Sequence, residues 1–414
     1  MATSTPQILT ESTSRFAPQM VAQEAPRKRT SSIVGWVGIG LVVVFALELT
    51  CRVEDWVTYR MPIWSPYTEL NDLVMRDADG MHGRPNAQYE KWVMNSIGTR
   101  GPQASVLPAP GTLRIITVGA SETFGLRESP GREYPRQLED TLNARLRRGA
   151  CVAPAPKRFE VLNAAFAGMA MPTIDQDVRN RLRRFRPAMV VIYPTPAQYL
   201  EDETPFPAKP DSSGRAVTPS LLDRLRPRFA FRLREQIKQI LPMFIQTRLR
   251  AIQTRLVLRA HAPGWRFDGI PSDRLARYNA DLRHLIGSIR KIGAIPVLVT
   301  HGNIFRGHGK PDPDMQTSWE KFYPRATGSA IIALDSVARD VTLEIGADSG
   351  VVTVDAAQRL AAAPVSIFAD FVHFTDAGAS IMADTVSGGI LHAAQQVGMC
   401  GRPATDAPPI AGKR

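Results

Sequence analysis

Cysteine is scarce in this chain, and basic residues outnumber acidic ones. Three cysteines in 414 residues exclude a scaffold built on disulfides, and none of their spacings resembles a structural zinc site. Cys151 and Cys400 could pair if the domain is exported, or they could remain two thiols. The net charge of +12 comes without a helix-turn-helix, a zinc finger or an aromatic-basic platform, so nucleic acid is a poor explanation for it.

The content of hydrophobic residues is ordinary for a folded protein. With 44% hydrophobic and 22% charged residues, most of the chain is expected to bury a core. A length of 414 residues suits one large domain with appendages. Residues 1–30, rich in Ser, Thr, Pro and Gln, are predicted to be a disordered tail, and residues 399–414 a flexible one.

An uncharged apolar run follows a cluster of three basic residues at 27–29. Ile33 to Leu47 carries no charge and, with its flanks, is just long enough to span a bilayer. We therefore predict a single transmembrane signal anchor over 31–51 in the inner (cytoplasmic) membrane. The basic cluster keeps the N-terminus cytoplasmic, which puts the main domain in the periplasm or outside the cell. The alternatives are a buried core helix and a cleaved signal peptide, although the run lacks a small-residue cleavage site.

Beyond a stem at 52–110, predicted to be loops that pack on the main domain, strand-like runs alternate with helical ones. Most of the strand-like runs are continuously apolar, as in strands that are buried on both faces of a parallel sheet. The alternation predicts a three-layer α/β/α sandwich over 111–398 with a mostly parallel sheet of about five strands. Strands are predicted at 113–118, 159–162, 189–193, 295–300 and 351–354, and helices at 135–148, 173–185, 273–292, 329–345 and 376–397.

Two polar segments follow predicted strands, where open α/β sheets carry their catalytic groups. Ser121 stands between two glycines on a strand-to-helix turn, which can expose its hydroxyl and direct backbone N–H groups at an oxyanion. Asp370 stands three residues before His373, where it can fix the tautomer of the imidazole. Either segment alone has an ordinary structural explanation, as a helix cap or a structural histidine. Asp376 is predicted to be the N-cap of the last helix.

In this order and spacing, the segments resemble the SGNH (GDSL-like) hydrolase family over about residues 86–395. The family's first block, Gly-Asp-Ser-x-Thr-x-Gly, is matched by Gly119, Ser121, Thr123 and Gly125, with Ala120 in place of Asp. Its last block, Asp-x-x-His, is matched by Asp370 and His373, and its second, Asn-x-x-x-x-Gly, by Asn163 and Gly168. Residues 95–102 look like an upstream segment of exported bacterial members.

The resemblance implies a catalytic triad in which Ser121 is the nucleophile, His373 the general base and Asp370 its orienting partner. The backbone N–H groups of Ser121 and Gly168 would form the oxyanion hole, and no metal or organic cofactor is implied. The family's third block, Gly-x-Asn-Asp/Glu, is absent, because Thr195 and Ala197 replace its glycine and its asparagine. Gln198 or Asn303 could supply the missing side-chain donor.

These residues predict a serine esterase or acyl-transfer enzyme that acts on O-acyl groups, in particular O-acetyl groups. Its location favours an exported polysaccharide or a cell-wall glycan as the substrate. Two alternatives stay open: a catalytically inactive, glycan-binding component of an envelope assembly, and a lipid-directed esterase.

A basic helical insertion is predicted at about 205–265. Within it, residues 221–261 hold ten arginines and lysines against two acids, with apolar residues at helical spacing and breaks at Pro227 and Pro242. Such a segment can lie on an anionic membrane surface or bind an acidic polysaccharide. It can also pack on the domain with its arginines in solvent.

Overall fold

A computed structural model describes residues 30–201, 226–230, 232–233, 237, 242–307, 309 and 312–402. The predicted tails before residue 30 and after residue 402, and the part of the basic insertion at 202–225, lie outside the described residues. The chain divides into two compact units, Met1–Leu49 and Thr50–Arg414.

The first unit contains most of helix α1, Thr30–Tyr59, which continues eight residues past the predicted end of the anchor. Over Val34–Tyr59 it is long and apolar enough to cross a membrane, and its apolar window is not buried by the rest of the chain. By length and composition, a membrane span and a signal sequence both fit this helix.

The second unit begins with a stem that contains more regular structure than the loops that the sequence predicted. Strand β1, Val74–Asp77, pairs antiparallel with β2, Gly80–Gly83. Strand β3, Gln88–Tyr89, pairs likewise with β4, Trp92–Val93. Strands of two to four residues are too short to show a clear period of two, so the sequence pattern did not predict them. A 3₁₀ helix, Leu70–Leu73, precedes the first hairpin.

The central sheet has five parallel strands, which are β5 Thr112–Gly119, β6 Arg158–Asn163, β7 Met189–Tyr193, β8 Ile295–Val299 and β9 Thr353–Val354. Their order across the sheet is β6-β5-β7-β8-β9, which confirms the predicted fold class. The chain runs from β5 to β6 on one side and then returns to β7 on the other side of β5. The strand order therefore reverses between β5 and β7, and ligand crevices of open sheets lie at such a point.

Helices cover both faces of the sheet and complete the three layers. The helices after α1 that the structure describes from end to end are α2 Ser121–Phe124, α3 Tyr134–Arg147, α4 Met171–Asn180, α5 Met243–Arg259, α6 Ser272–Lys291, α7 Pro313–Phe322, α8 Gly328–Ser349, α9 Ala356–Ala361 and α10 Asp376–Gln396. Further 3₁₀ helices span Leu182–Phe185, Pro196–Leu200 and Val365–Ile367. One core cluster packs Ile116 and Val190 of the sheet against apolar residues of α4, α6 and α8. The other packs Ile115 and Val191 against α3, α9 and α10.

A disulfide joins Cys151 and Cys400, which decides between the two alternatives that the sequence left open. The bond ties the chain beyond α10 to the segment that leads into β6, across 249 residues of sequence. Both half-cystines are buried. Val152 and Gly401 exchange backbone hydrogen bonds of 3.0 and 3.1 Å beside the bond.

Ion pairs join the part of the basic insertion around residues 228–232 to the last turns of α1. Arg228 and Asp55 approach to 2.7 Å and both side chains are 2% exposed. Arg232 pairs with Glu54 and with Asp55. The interpretation in which all the arginines of the insertion lie in solvent is therefore wrong for these two, because each neutralises an acid of the α1 segment within the second unit.

Candidate active site

Ser121 begins the short helix α2 at the carboxyl end of β5. The turn needs glycine at position 119, because a Cβ there would lie 2.3 Å from Thr123 Oγ1 and 2.7 Å from the carbonyl oxygen of Tyr193. As the first residue of a helix, Ser121 has a backbone N–H without a partner inside that helix. The turn thus presents the hydroxyl and an N–H at the strand-order reversal, as the motif predicted.

The second sequence block holds this turn in place. Asn163 ends β6, and its Nδ2 donates to the carbonyl oxygen of Thr123 at 2.9 Å. Arg100, from the predicted upstream segment, donates through Nη1 to the carbonyl oxygens of Phe124 and Gly125. Its backbone N–H donates to Asn163 O at 2.8 Å. The two segments together satisfy the carbonyl groups that end α2, which fixes the direction of the nucleophile turn.

The last block forms the expected histidine–aspartate pair. Nδ1 of His373 lies 2.8 and 2.9 Å from the two carboxylate oxygens of Asp370. Asp370 Oδ1 also accepts from the backbone N–H groups of Val372 and His373, at 3.2 and 3.0 Å. These bonds require Nδ1 to carry a proton, and Nε2 is then the acceptor of the neutral ring.

The electrostatics of the pair follow from burial and hydrogen bonding. Burial alone would raise the pKa of Asp370, but the hydrogen bond and the charge of His373 lower it to about 2. Burial would lower the pKa of His373, but the hydrogen bond and charge of Asp370, followed by the charge of Glu122, outweigh burial and raise it. Asp370 is therefore ionised at neutral pH and stabilises an imidazolium on His373.

Contacts between the loop after α2 and the last block bring the two halves of the site together. The backbone N–H of Ser129 donates to Asp376 Oδ1 at 2.7 Å, and Arg127 lies 3.4 Å from Asp370. Asp376 is therefore used in this contact, and the prediction that it caps the last helix is wrong. Thr375 is the N-cap instead, since its hydroxyl accepts from the N–H of Gly378.

The described contacts of the nucleophile and the base leave one bond of a triad unmade. Nε2 of His373 is buried and has no hydrogen-bond partner among the described residues. The Ser121 hydroxyl donates instead to Glu122 Oε2 at 3.2 Å. The serine must therefore turn from Glu122 to the histidine before it could lose its proton there.

The residues predicted for the oxyanion hole lie in different settings. Gly168 has a positive φ of 77° in the turn that follows β6, the strand beside β5. Gln198 is half-buried on the 3₁₀ helix that follows β7. Asn303, the other suggested donor, is bound within the protein: its Nδ2 donates to Asp335 at 2.6 Å and its Oδ1 accepts from the N–H of Phe305.

A buried polar cluster beside Ser121 was not predicted from the sequence. Glu122 Oε1 lies 3.2 Å from Nε2 of His301, and Nδ1 of His301 lies 2.5 Å from Asp335. Thr195 Oγ1 lies 3.4 Å from both carboxylate oxygens of Glu122. His301 follows β8 at the same sheet edge as the predicted site, so the position of residues after strands was the signal that could have identified it. In the part of the chain that the structure describes, no group of three or more His, Cys, Asp or Glu residues could hold a metal ion.

No protein-family model and no curated protein sequence matches this chain. Solved structures with a similar chain path include a lipase/acylhydrolase from Enterococcus faecalis, with a TM-score of 0.37 and 15% identity over 68% of this chain and 96% of that one. An acetylxylan esterase from Geobacillus stearothermophilus gives 0.37 and 17% over 67% and 93%. A lipolytic protein of the G-D-S-L family from Desulfitobacterium hafniense gives 0.36 and 11% over 67% and 99%. The similarity is one of fold alone.

Proposed function

We propose that this chain is a serine esterase or acyl-transfer enzyme with Ser121, His373 and Asp370 as its triad. The observation that carries the proposal is the state of His373. Asp370 binds Nδ1 of His373, while the buried Nε2 of His373 is without a partner among the described residues. A buried acceptor nitrogen beside a serine turn is the arrangement that general-base activation of a hydroxyl needs.

The proposed reaction has two steps. Ser121 Oγ attacks the ester carbonyl as His373 Nε2 takes its proton, and the N–H groups of Ser121 and Gly168 stabilise the oxyanion. The alcohol leaves with that proton, and an acyl-enzyme remains. Water or a sugar hydroxyl then gives its proton to His373 as it attacks the acyl carbon. His373 passes that proton to Ser121 Oγ as the acyl–serine bond breaks, which regenerates the serine.

The substrate class follows from the proposed location. The apolar helix α1 supports a single-pass anchor in the inner membrane with the second unit on the outer side. The Cys151–Cys400 disulfide supports an oxidising compartment, because cytosolic thiols are kept reduced. O-acyl groups, in particular O-acetyl groups, on an exported polysaccharide or cell-wall glycan are the esters that such an enzyme would meet.

Acetate release from an O-acetylated polysaccharide by the full chain in detergent tests the proposal. We expect release by the wild type and its loss in Ser121→Ala and His373→Ala. Ser349→Ala, at the far end of α8, is the matched control and should keep the wild-type rate. Folded wild type that neither releases acetate nor reacts with a serine-directed phosphonate would contradict the proposal and favour an inactive glycan-binding domain.

Helix α5 favours a second candidate, a lipid-directed esterase. Its Leu249, Ile252 and Leu256 are 47–58% exposed, and Arg248 and Arg255 are exposed on the same helix. Apolar and basic side chains in this combination suit an anionic membrane surface, and an anionic glycan would use only the arginines. Substitution of the three apolar residues by Ser separates these cases. A loss of hydrolysis of short-chain lipid esters in anionic vesicles, with glycan deacetylation unchanged, would support the lipid candidate.

A further inference from the structure

A chain of buried polar side chains leads from the nucleophile turn to helix α8. Ser121 donates to Glu122, which contacts His301, which contacts Asp335. Asn303 donates to the second oxygen of Asp335 at 2.6 Å. Glu122, His301, Asp335 and Asn303 are each 3% exposed or less. The proposed triad uses none of these four side chains.

The contacts and the electrostatics of this cluster together favour an imidazolium between two carboxylates. A neutral imidazole has one N–H and can donate to one carboxylate, whereas both ring nitrogens of His301 face carboxylate oxygens. Burial would lower the pKa of His301, but the charge and hydrogen bond of Asp335, with those of Glu122, raise it to about 10. Burial would raise the pKa of Glu122, but the hydrogen bond and charge of His301 lower it. Two carboxylates and one imidazolium leave a net charge of −1 beside Ser121.

The cluster lies over the strand ends where the family's third block is missing. Thr195, in the place of that block's glycine, contacts Glu122. Ala197, in the place of its asparagine, is fully buried and offers no polar group. The Tyr193 ring stacks on His301 with centroids 5.3 Å apart, and Tyr193 Oη accepts from the N–H of Gly302. The carboxyl ends of β7 and β8 are thus built around Glu122 and His301 instead of an amide donor.

We propose that Glu122, oriented by His301 and Asp335, is a positioning residue that holds the Ser121 hydroxyl and sets a fixed negative charge toward His373. This inference rests on the proposed function, since it assigns Glu122 a role toward the nucleophile and its base. The charged groups that face His373 are Asp370, Glu122, Glu128 and Arg127. Burial raises the pKa of Glu128 to about 7, so its charge is partial at neutral pH. Of the two acids outside the triad, Glu122 therefore supplies the permanent charge.

The test compares the pH profile of phosphonate labelling in the full chain for wild type, Glu122→Gln and Glu122→Asp. One opposite charge at close range shifts a pKa by about 1–3 units, and the positive charge of His301 offsets part of the effect of Glu122 on His373. The acid limb of the profile is the fall in labelling at low pH as His373 becomes protonated. In Glu122→Gln this limb should move to lower pH by ~0.5–1 unit. Glu122→Asp keeps the charge and should keep the wild-type limb, even if its rate is lower. Asp281→Asn, which removes a carboxylate bonded to Tyr199 outside the site, is the control and should leave the limb in place.

A second measurement does not require catalysis. The chain has seven histidines, so ¹⁵N-histidine NMR spectra can be assigned with His301→Gln and His373→Gln. In wild type we expect His301 to remain doubly protonated at pH 8. In Glu122→Gln we expect the pKa of His373 to fall. An absence of labelling in wild type would contradict the esterase proposal, and the histidine titration would then decide the inference alone. If folded Glu122→Gln shows the wild-type acid limb and the wild-type pKa of His373, the inference is overturned. That result would leave the proposed triad unaffected.

Discussion

Replacement of Asp370 by Asn removes the charge that His373 needs while it preserves the shape of the side chain. In the folded protein the carboxylate accepts from Nδ1 of His373 and from two backbone N–H groups. A pKa of about 2 against an ordinary value of 3.8 corresponds to ~2 kcal/mol of interaction that favours the ionised form. Because the pKa is lowered on folding, this stability is present above pH 3.8 and is lost as the pH falls through about 2.

The expected effect on reactivity is larger than the effect on stability. An amide can donate to Nδ1 and thereby hold the tautomer in which Nε2 carries the proton and cannot act as a base. In a serine protease triad the same change costs ~10⁴-fold in rate, and we expect a loss of this order in the labelling of Ser121. At pH 7 the free energy of unfolding should fall by about 2 kcal/mol, since the ionised carboxylate no longer contributes.

Labelling with a serine-directed phosphonate and urea denaturation of the same preparations measure the two effects. Asp384→Asn is the matched control, because Asp384 forms an ion pair with Arg145 at 2.5 Å and its side chain is 61% exposed. That variant should label like wild type and lose less than ~1 kcal/mol of stability. Labelling of Asp370→Asn within tenfold of wild type would refute the reasoning, since His373 would then work without its partner.

Three further predictions concern the residues that support the site. Cys151→Ser should lower the free energy of unfolding by ~2–5 kcal/mol, measured against wild type with and without reductant, and equal stability of all three samples would contradict it. Asp55→Asn breaks the buried ion pair between Asp55 and Arg228 and should cost ~3–5 kcal/mol in thermal or urea unfolding, whereas Asp55→Leu combined with Arg228→Met should recover most of this loss. Asn163→Ala removes the bond to the α2 carbonyl groups and should slow phosphonate labelling by about tenfold, as expected for ~1–3 kcal/mol lost at a buried acceptor, and an unchanged rate would show that Arg100 alone suffices.

The strands of the central sheet were predictable because both of their faces are buried. The apolar run at 189–193 is β7 residue for residue, and every residue of that strand is buried. The prediction was less accurate at the sheet edge, where β9 has two residues in place of the four expected. An edge strand has one neighbour, so local sequence determines its length less strictly.

The histidine–aspartate pair of the proposed triad was predictable because it is a local motif. Asp370 and His373 are three residues apart, and the sequence alone indicates their contact. The Glu122–His301 contact joins residues 179 apart, and no local spacing marks it. The excess of basic residues in the insertion likewise gave no sign of their ion pairs. The acids that pair with Arg228 and Arg232 lie over 170 residues earlier in the chain.

The missing third block and the buried cluster have one physical explanation. An uncompensated carboxylate beside Ser121 would oppose the oxyanion that forms there, so Glu122 is tolerable only with a positive charge at close range. His301 supplies that charge at 3.2 Å, and it keeps its proton because Asp335 binds its other nitrogen. A neutral asparagine in the third block would need no such support. Once Ala197 and Thr195 occupy that block, the cluster depends on His301, because its removal would leave the buried carboxylates of Glu122 and Asp335 without the positive charge that lies between them.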